Sequence, residues 1–260
     1  MATTALRVAP RPRDFVRVSG PDAEEYLQRM LSNDVAALAA GKSCDALLLT
    51  VKGRIIAPVR VLRRAADDYL LLTEPGLGEP VLAELVRMRF AAKAAIEAEE
   101  HRSYVVLGDA GRGISTTEYG VLAVEVLDEE PRGESISTDE LEALRIDAGT
   151  PAWGKELDDS VLPAEAGLDE THISFTKGCF PGQEPIARLR YRGHPNRTLR
   201  VLEVEHAEPG DELVWQGKAV GRVTSAVPGR ALAYVRTEVP DEAVLEIAGA
   251  KARLARMRPA

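Results

Sequence analysis

From residue 199 onward the chain is a succession of short strand-like runs separated by turn-forming residues, and this pattern restricts the possible folds most strongly. The turns are marked by pairs such as Pro228-Gly229 and Ala248-Gly249. Closely spaced short strands with turns of this kind are typical of a small antiparallel barrel. We therefore predict a C-terminal β-barrel, with strand candidates at 199–204, 212–215, 218–224, 231–235, 244–247 and 251–256.

Upstream of the barrel, helical and strand-like segments alternate. Two apolar runs meet at Lys52-Gly53-Arg54, which predicts a hairpin, and residues 44–98 have the order β-β-β-α-β of a compact lobe. The clearest helix runs from Thr138, its predicted cap, to Gly149. The other predicted segments are helices at 21–31 and 80–90 and strands at 44–50, 55–62, 69–73, 94–98, 104–107 and 121–126.

The composition is that of a soluble globular protein, with 45% hydrophobic and 28% charged residues. The net charge of −8 argues against a nucleic-acid or membrane-surface coat, so we expect no stable nucleic-acid binding. No apolar run approaches the roughly 20 residues of a transmembrane helix, and the first residues lack the apolar stretch of a secretory signal. We expect a cytoplasmic monomer in which Cys44 and Cys179 are free thiols.

One of these thiols lies in a segment whose backbone is constrained by two glycines and a proline. Cys179 is the third residue of Lys177-Gly178-Cys179-Phe180-Pro181-Gly182-Gln183-Glu184. An ammonium group from Lys177 near the sulfur would lower the thiol pKa and make the thiolate more abundant. These residues alone favour a reactive thiol and a structural cysteine in a tight turn about equally.

A cluster of arginines follows, without an intervening acid. In a chain with excess acid this is a local anion-attracting patch, although arginine heads on a strand could simply be solvated. Tyr191 could stack on a planar ligand or pack in the core. The arginines are Arg188, Arg190, Arg192, Arg197 and Arg200.

A carboxylate follows a proline in Pro163-Ala164-Glu165. On a rigid loop, a carboxylate can accept two parallel hydrogen bonds from an amidine-like edge, such as the ring N–H and amino group of a pterin. For Glu165 taken alone, a solvated side chain is the simpler alternative.

Taken together, these segments resemble the T-protein superfamily of folate-binding proteins. The resemblance rests on residues 144–149, 153–158 and 163–168, with further agreement at 32–35 and 221–225. The segment from Lys177 to Glu184 resembles the highly specific signature of one branch, the YgfZ proteins.

The resemblance implies an α+β fold of three lobes around a central cavity that holds tetrahydrofolate or a related folate. Residues 1–43 and 99–198 would form a discontinuous α/β folate-binding lobe, into which residues 44–98 insert as a ferredoxin-like lobe. Residues 199–260 would form the C-terminal antiparallel β-barrel.

The resemblance also implies roles for individual residues. Glu165 matches the glutamate that grips the pterin ring, and Arg192 lies near the folate-contacting arginine of the family. Cys179 would be the functionally critical group, with Lys177 beside it. Folate contacts are assigned to Glu165, Gln183, Glu184, Arg188, Arg190, Tyr191 and Arg192, and no metal ligand is assigned.

In one respect the chain departs from the family. The glycine-cleavage T-protein has a catalytic aspartate after the strand turn of its second lobe, and here Ala57 and Pro58 stand where the family has carboxylates. Neither residue can take a proton. The sequence therefore leaves open whether the protein is an enzyme.

The sequence supports three functions. The leading hypothesis is an accessory protein that binds tetrahydrofolate and supports assembly or repair of iron–sulfur enzymes, including tRNA-modifying ones, with iron–sulfur client proteins as partners. The alternative is a folate-dependent aminomethyl or one-carbon transferase. The third is a protein- or RNA-contact module that uses the arginine cluster, which the negative net charge disfavours.

Overall fold

The computed structural model describes residues 6–108 and 111–255; residues 1–5, 109–110 and 256–260, including the end of the predicted strand 251–256, lie outside it. The elements, in chain order, are β1 (Arg7–Pro10), β2 (Asp14–Ser19), α1 (Ala23–Met30), β3 (Ser43–Leu49), β4 (Ile55–Ala65), β5 (Asp68–Thr73), α2 (Gly78–Met88), β6 (Ala95–Glu99), β7 (Ser103–Leu107), β8 (Ile114–Thr116), β9 (Ala123–Leu127), β10 (Glu134–Ser135), α3 (Thr138–Ala148), a 3₁₀ turn (Pro163–Glu165), α4 (Gln183–Arg192), β11 (Arg197–Glu203), β12 (Glu212–Trp215), β13 (Lys218–Val227), β14 (Arg230–Arg236), β15 (Val244–Ile247) and β16 (Ala250–Leu254).

The first sheet has the strand order β3-β4-β5-β2-β6 and carries α1 and α2 on one face. Side chains such as Tyr26, Leu71 and Leu85 are fully buried between the sheet and these helices. The predicted boundary between residues 1–43 and 44–98 does not separate two sheets, because β2 pairs with both β5 and β6 in this one sheet. The difference arises because β2 is inserted between two strands that follow it by about 50 and 80 residues, and local patterns do not show such pairing.

The second sheet is smaller, with the order β10-β1-β7-β9-β8, and buried charges join it to the first. Arg60 on β4 places one guanidinium nitrogen 2.8 Å from Glu125 on β9 and another 3.1 Å from Glu118. Arg13 donates hydrogen bonds to the same two glutamates. Because each charge has partners of opposite sign, the cluster can be buried and fixes one sheet against the other.

The C-terminal barrel is closed, with the strand order β11-β14-β13-β12-β15-β16, which confirms the predicted barrel. Helix α3 packs against it. Ser137, rather than the predicted Thr138, is the N-cap of α3, since its hydroxyl accepts from the backbone N–H of Glu140 and Glu140 returns the bond. Gly149 ends the helix with φ +75°, as expected for a glycine C-cap.

Residues 149–196 form a mostly irregular segment between the lobes. Leu47 and Ile55 from the first sheet meet Phe180 and Ile186 in a shared apolar cluster. The arginine cluster begins on a helix, α4, and not on a strand. Pro185 does not disrupt this helix, because it lies in the first turn, where the backbone N–H has no partner within the helix. None of the helices in the described residues is long and apolar enough to cross a membrane.

Candidate functional site

Glu165 is the last residue of the 3₁₀ turn that Pro163 begins. Its Oε2 accepts a hydrogen bond from the backbone N–H of Leu162 at 3.1 Å. Its Oε1 accepts one from Nε of Arg197 at 3.2 Å. The side chain is 13% exposed. The carboxylate is therefore held in one orientation and can still be reached from solvent.

Glu165 lines a cavity of about 820 Å³ between the irregular segment and the barrel. Cavities of roughly 300–1,000 Å³ hold small organic ligands. The wall offers two carboxylates, an imidazole, an amide, a hydroxyl and two guanidinium groups, which suits a polar ligand. The other lining residues are His194, Asn196, Arg197, Arg236, Thr237 and Glu238.

Cys179 is exposed between two anchored neighbours. On one side, the Lys177 ammonium donates hydrogen bonds to the carbonyls of Gln28 and Leu31 at the end of α1. On the other, Phe180 is 7% exposed and packs into the apolar cluster between the lobes. The loop is thus fixed on both sides of Cys179 and presents the thiol to solvent.

The Lys177 ammonium is partly buried where the loop meets α1. Burial lowers the pKa of its ammonium to about 8, against the opposing effects of Asp34 and Cys44. Its hydrogen bonds tie the loop to α1, and in the part of the chain that the structure describes none joins Lys177 to Cys179. The geometry gives Lys177 an anchoring role, and its predicted role beside the thiol stays a prediction.

Gly182 determines how the second half of the Cys179 segment approaches the β3–β4 hairpin. It adopts φ +81°, and a Cβ atom there would lie 2.5 Å from the carbonyl oxygen of Thr50 and 2.8 Å from Cα of Gly53. Only glycine permits both the conformation and this approach. The turn before α4 is therefore seated on the β3–β4 hairpin, which also confirms the hairpin predicted at Lys52-Gly53-Arg54.

The three arginines assigned to folate contacts, Arg188, Arg190 and Arg192, do not line this cavity. Arg190 hydrogen-bonds Glu170 at 2.9 Å and lies 4.3 Å from the centroid of the Phe175 ring. Tyr191 is 69% exposed. Of the predicted site residues, the structure places Glu165 on the cavity wall, whereas the lining excludes Lys177, Cys179, Gln183, Glu184, Arg188, Arg190, Tyr191 and Arg192.

Comparisons with known proteins bear on the architecture. A family model for the GCVT N-terminal domain matches residues 14–108, and one for the CAF17 C-terminal β-barrel domain matches residues 196–258. The chain is 30% identical over 228 residues to a protein of Haemophilus influenzae, covering 82% of this chain and 81% of that one. It is also 31% identical over 229 residues to the tRNA-modifying protein YgfZ of Edwardsiella ictaluri, covering 71% of this chain and 66% of the relative.

The chain belongs to the YgfZ group of the T-protein superfamily.

The fold agrees with this membership. The structure of glycine cleavage system aminomethyltransferase T from Bartonella henselae superposes on the YgfZ-type chain with a TM-score of 0.85. The match covers 97% of this chain and 86% of that one, at 19% sequence identity. At this identity the likeness concerns the fold, and it confirms the predicted α+β architecture with its terminal barrel.

In this YgfZ-type structure, the Ala57 side chain has no contact with solvent. It is fully buried in the apolar core between the first sheet and its helices. Pro58 pairs with Leu47 in the sheet, and its carbonyl accepts a hydrogen bond from Thr73 at 2.7 Å. Neither position offers a carboxylate to the cavity.

Most of the cavity wall is not predictable from the sequence. Arg197 belongs to the arginine cluster of the sequence but not to the predicted folate contacts, although its side chain contacts Glu165. Asn196 and Thr237 gave no sequence signal, because they reach the cavity only when β11 and β14 pair. A useful signal was available in the position of Arg197, at the point where the helical segment changes to barrel strands.

Proposed function

We propose that this protein binds a reduced folate in the cavity lined by Glu165 and acts as an accessory protein for iron–sulfur enzymes, including tRNA-modifying ones. The observation that carries the proposal is the fixed, solvent-reachable carboxylate of Glu165 on the wall of a cavity of about 820 Å³. Such a carboxylate matches the amino and ring N–H donors of a pterin.

The residues around Glu165 fit the rest of a folate. Asn196 and Thr237 provide uncharged polar groups on the same wall, and Arg236 provides positive charge for the anionic glutamyl tail. The chemistry that a folate would supply is the carriage of a one-carbon unit. The protein's own residues would bind the pterin edge and orient the ring.

The accessory role is supported by the relatives and by Cys179. Proteins of Edwardsiella ictaluri and Photorhabdus laumondii that resemble this chain are named tRNA-modifying protein YgfZ. Cys179 is exposed on a loop that is anchored on both sides, which suits contact with another protein. Because iron–sulfur clusters usually need four protein ligands, one thiol would share a client's cluster or touch it transiently.

Folate binding is tested by thermal unfolding with and without tetrahydrofolate. A ligand that binds the native state at a hundredfold excess over its Kd stabilises it by about 2.7 kcal/mol, so we expect a clear rise in Tm. Glu165→Gln should remove most of the rise, whereas Arg200→Gln, in β11 but outside the cavity lining, should retain it. An unchanged Tm of the wild-type protein at saturating folate would contradict the proposal.

A one-carbon transferase is the alternative, favoured by the match of residues 14–108 to the GCVT N-terminal domain. The burial of Ala57 in an apolar core argues against it, since no side chain there can move a proton. A transfer assay with a formaldehyde equivalent and tetrahydrofolate separates the two functions. Turnover that Cys179→Ser abolishes would establish the transferase.

A further inference from the structure

Arg197 connects the barrel to the carboxylate of Glu165. The two residues lie 32 positions apart, one on the first barrel strand and one on the 3₁₀ turn, and Nε of Arg197 is 3.2 Å from Oε1 of Glu165. The Arg197 side chain is 43% exposed, against 13% for Glu165. Both side chains line the cavity, and the arginine is the more exposed of the two.

Arg197 is itself held by an aromatic ring. Its guanidinium carbon lies 4.5 Å from the centroid of Tyr234 on β14, a separation typical of cation–π contact. Tyr234 is 7% exposed, and its hydroxyl donates to the carbonyl of Glu156 at 2.9 Å. Burial raises the pKa of Tyr234 well above its usual value. The phenol thus stays protonated and keeps this hydrogen bond.

Glu156 is the fixed end of this chain of contacts. Its carboxylate is completely buried and accepts from Arg145 at 2.9 Å, from Ser225 at 2.6 Å and from the backbone N–H of Ala152 at 3.0 Å. A buried ion pair whose oxygens are all hydrogen-bonded is rigid. Helix α3, the irregular segment and barrel strand β13 therefore meet at one immobile point.

The contacts at Glu165 leave a defined set of free acceptor positions. A carboxylate has about four lone-pair positions, two on each oxygen. Leu162 occupies one on Oε2 and Arg197 occupies one on Oε1. Among residues 6–108 and 111–255, no further group occupies the other position on each oxygen, which gives the arrangement that two parallel hydrogen bonds from a planar ligand edge require.

We propose that Arg197 is a positioning residue, which orients Glu165 for the ligand's planar edge and so makes the affinity depend on the docking of the barrel. The proposal rests on the proposed function, because it assumes that Glu165 holds the pterin. Arg197 acts through Glu165 and through its own support on Tyr234, and its guanidinium is directed at the carboxylate and not at the ligand's tail.

A double-mutant cycle tests this role. Dissociation constants would be measured by calorimetry for wild type, Arg197→Gln, Glu165→Gln and the double variant, with 5-formyltetrahydrofolate and with 6-methyltetrahydropterin, which lacks the tail. We expect Arg197→Gln to raise the dissociation constants of both ligands about tenfold, as for a lost hydrogen bond to a charged group. In the Glu165→Gln background it should have no further effect, since coupled residues are not additive.

Other outcomes separate the possible failures. Loss of affinity for 5-formyltetrahydrofolate alone would make Arg197 a tail-binding residue, and an additive effect in the double variant would make it merely structural; either result overturns the proposal. If wild type binds neither ligand, the proposed function itself fails.

Arg200→Gln is the matched control. Arg200 forms an ion pair with Asp241 at 2.8 Å, and neither residue lines the cavity. Should Arg197→Gln not fold, Arg197→Lys keeps the charge but loses the planar fork, and it should show the same non-additivity.

Discussion

At the scale of single residues, the two cysteines have opposite environments. Cys179 is exposed on a loop that Lys177 and Phe180 anchor. Cys44 is half-buried at the start of β3, and burial, reinforced by Asp45 and Asp34, raises the pKa of its thiol to about 12. Because the thiolate is the reactive form, the protein has one thiol available for chemistry and one that packs.

The thiol-reactivity prediction follows from this contrast. With a disulfide reagent at about pH 8, one equivalent of thiol should react fast and the second slowly or only after unfolding. Cys179→Ser should remove the fast phase, and Cys44→Ser, the matched control, should leave it intact. Equal rates for the two thiols in the native protein would be inconsistent with this account.

At the scale of elements, α4 and the β3–β4 hairpin depend on each other. Gly182 and Gly53 both have positive φ, and each lies against the other's segment. The turn that carries the Cys179 segment into α4 is therefore positioned by the first sheet. Loss of this contact would displace Cys179 and α4 together.

The glycine contact is tested by Gly182→Ala. The left-handed conformation costs an alanine roughly 1–2 kcal/mol, and the overlap with Thr50 adds roughly 1–3 kcal/mol because backbone must move. Gly76→Ala is the matched control, since Gly76 has φ +85° and nothing within 4 Å of an added Cβ. Unfolding in urea should show a clearly larger loss for Gly182→Ala. Equal losses of unfolding free energy in the two variants would mean that the hairpin contact does not contribute to stability.

At the scale of the whole molecule, a cluster of charges reinforces the contact between the two sheets, which also share a small apolar cluster around Phe15, Leu72 and Ile114. Arg60 on β4 of the first sheet and Arg13 in the β1–β2 link both pair with Glu125 on β9 of the second sheet and with Glu118 in the β8–β9 connection. Burial alone would raise the pKa of Glu118, but the charges of Arg13, Arg60 and Arg11 outweigh it and hold the pKa far below its usual value of 4.5. This stabilisation is present above that usual value and is lost as the pH falls towards the native-state pKa.

The prediction for this cluster concerns Glu118→Gln. Breaking a buried ion pair costs about 3 kcal/mol, so the variant should be less stable by that order near neutral pH. As the pH falls below the usual carboxyl pKa, the wild type should lose stability faster than the variant and the gap should narrow. Urea unfolding across a pH series checks this, with exposed Glu130→Gln as the control. A gap that does not depend on pH would contradict the assigned charge.

The sequence predicted what depends on local chemistry. Turn residues revealed the barrel and the Lys52-Gly53-Arg54 hairpin, and glycine at 149 marked the end of α3. It did not predict the pairing of β2 with β5 and β6, the anchoring of Lys177 to a helix that precedes it by about 146 positions, or the contact of Arg197 with Glu165. Those features depend on which distant segments meet, and neither spacing nor composition contains that information.

The most direct test of folate binding is a crystal structure of the protein with 5-formyltetrahydrofolate. Our account predicts the pterin in the cavity between the irregular segment and the barrel, with its amino group and ring N–H within hydrogen-bond distance of the two Glu165 oxygens. Pterin density elsewhere on the protein, or at a distance from Glu165, would contradict it.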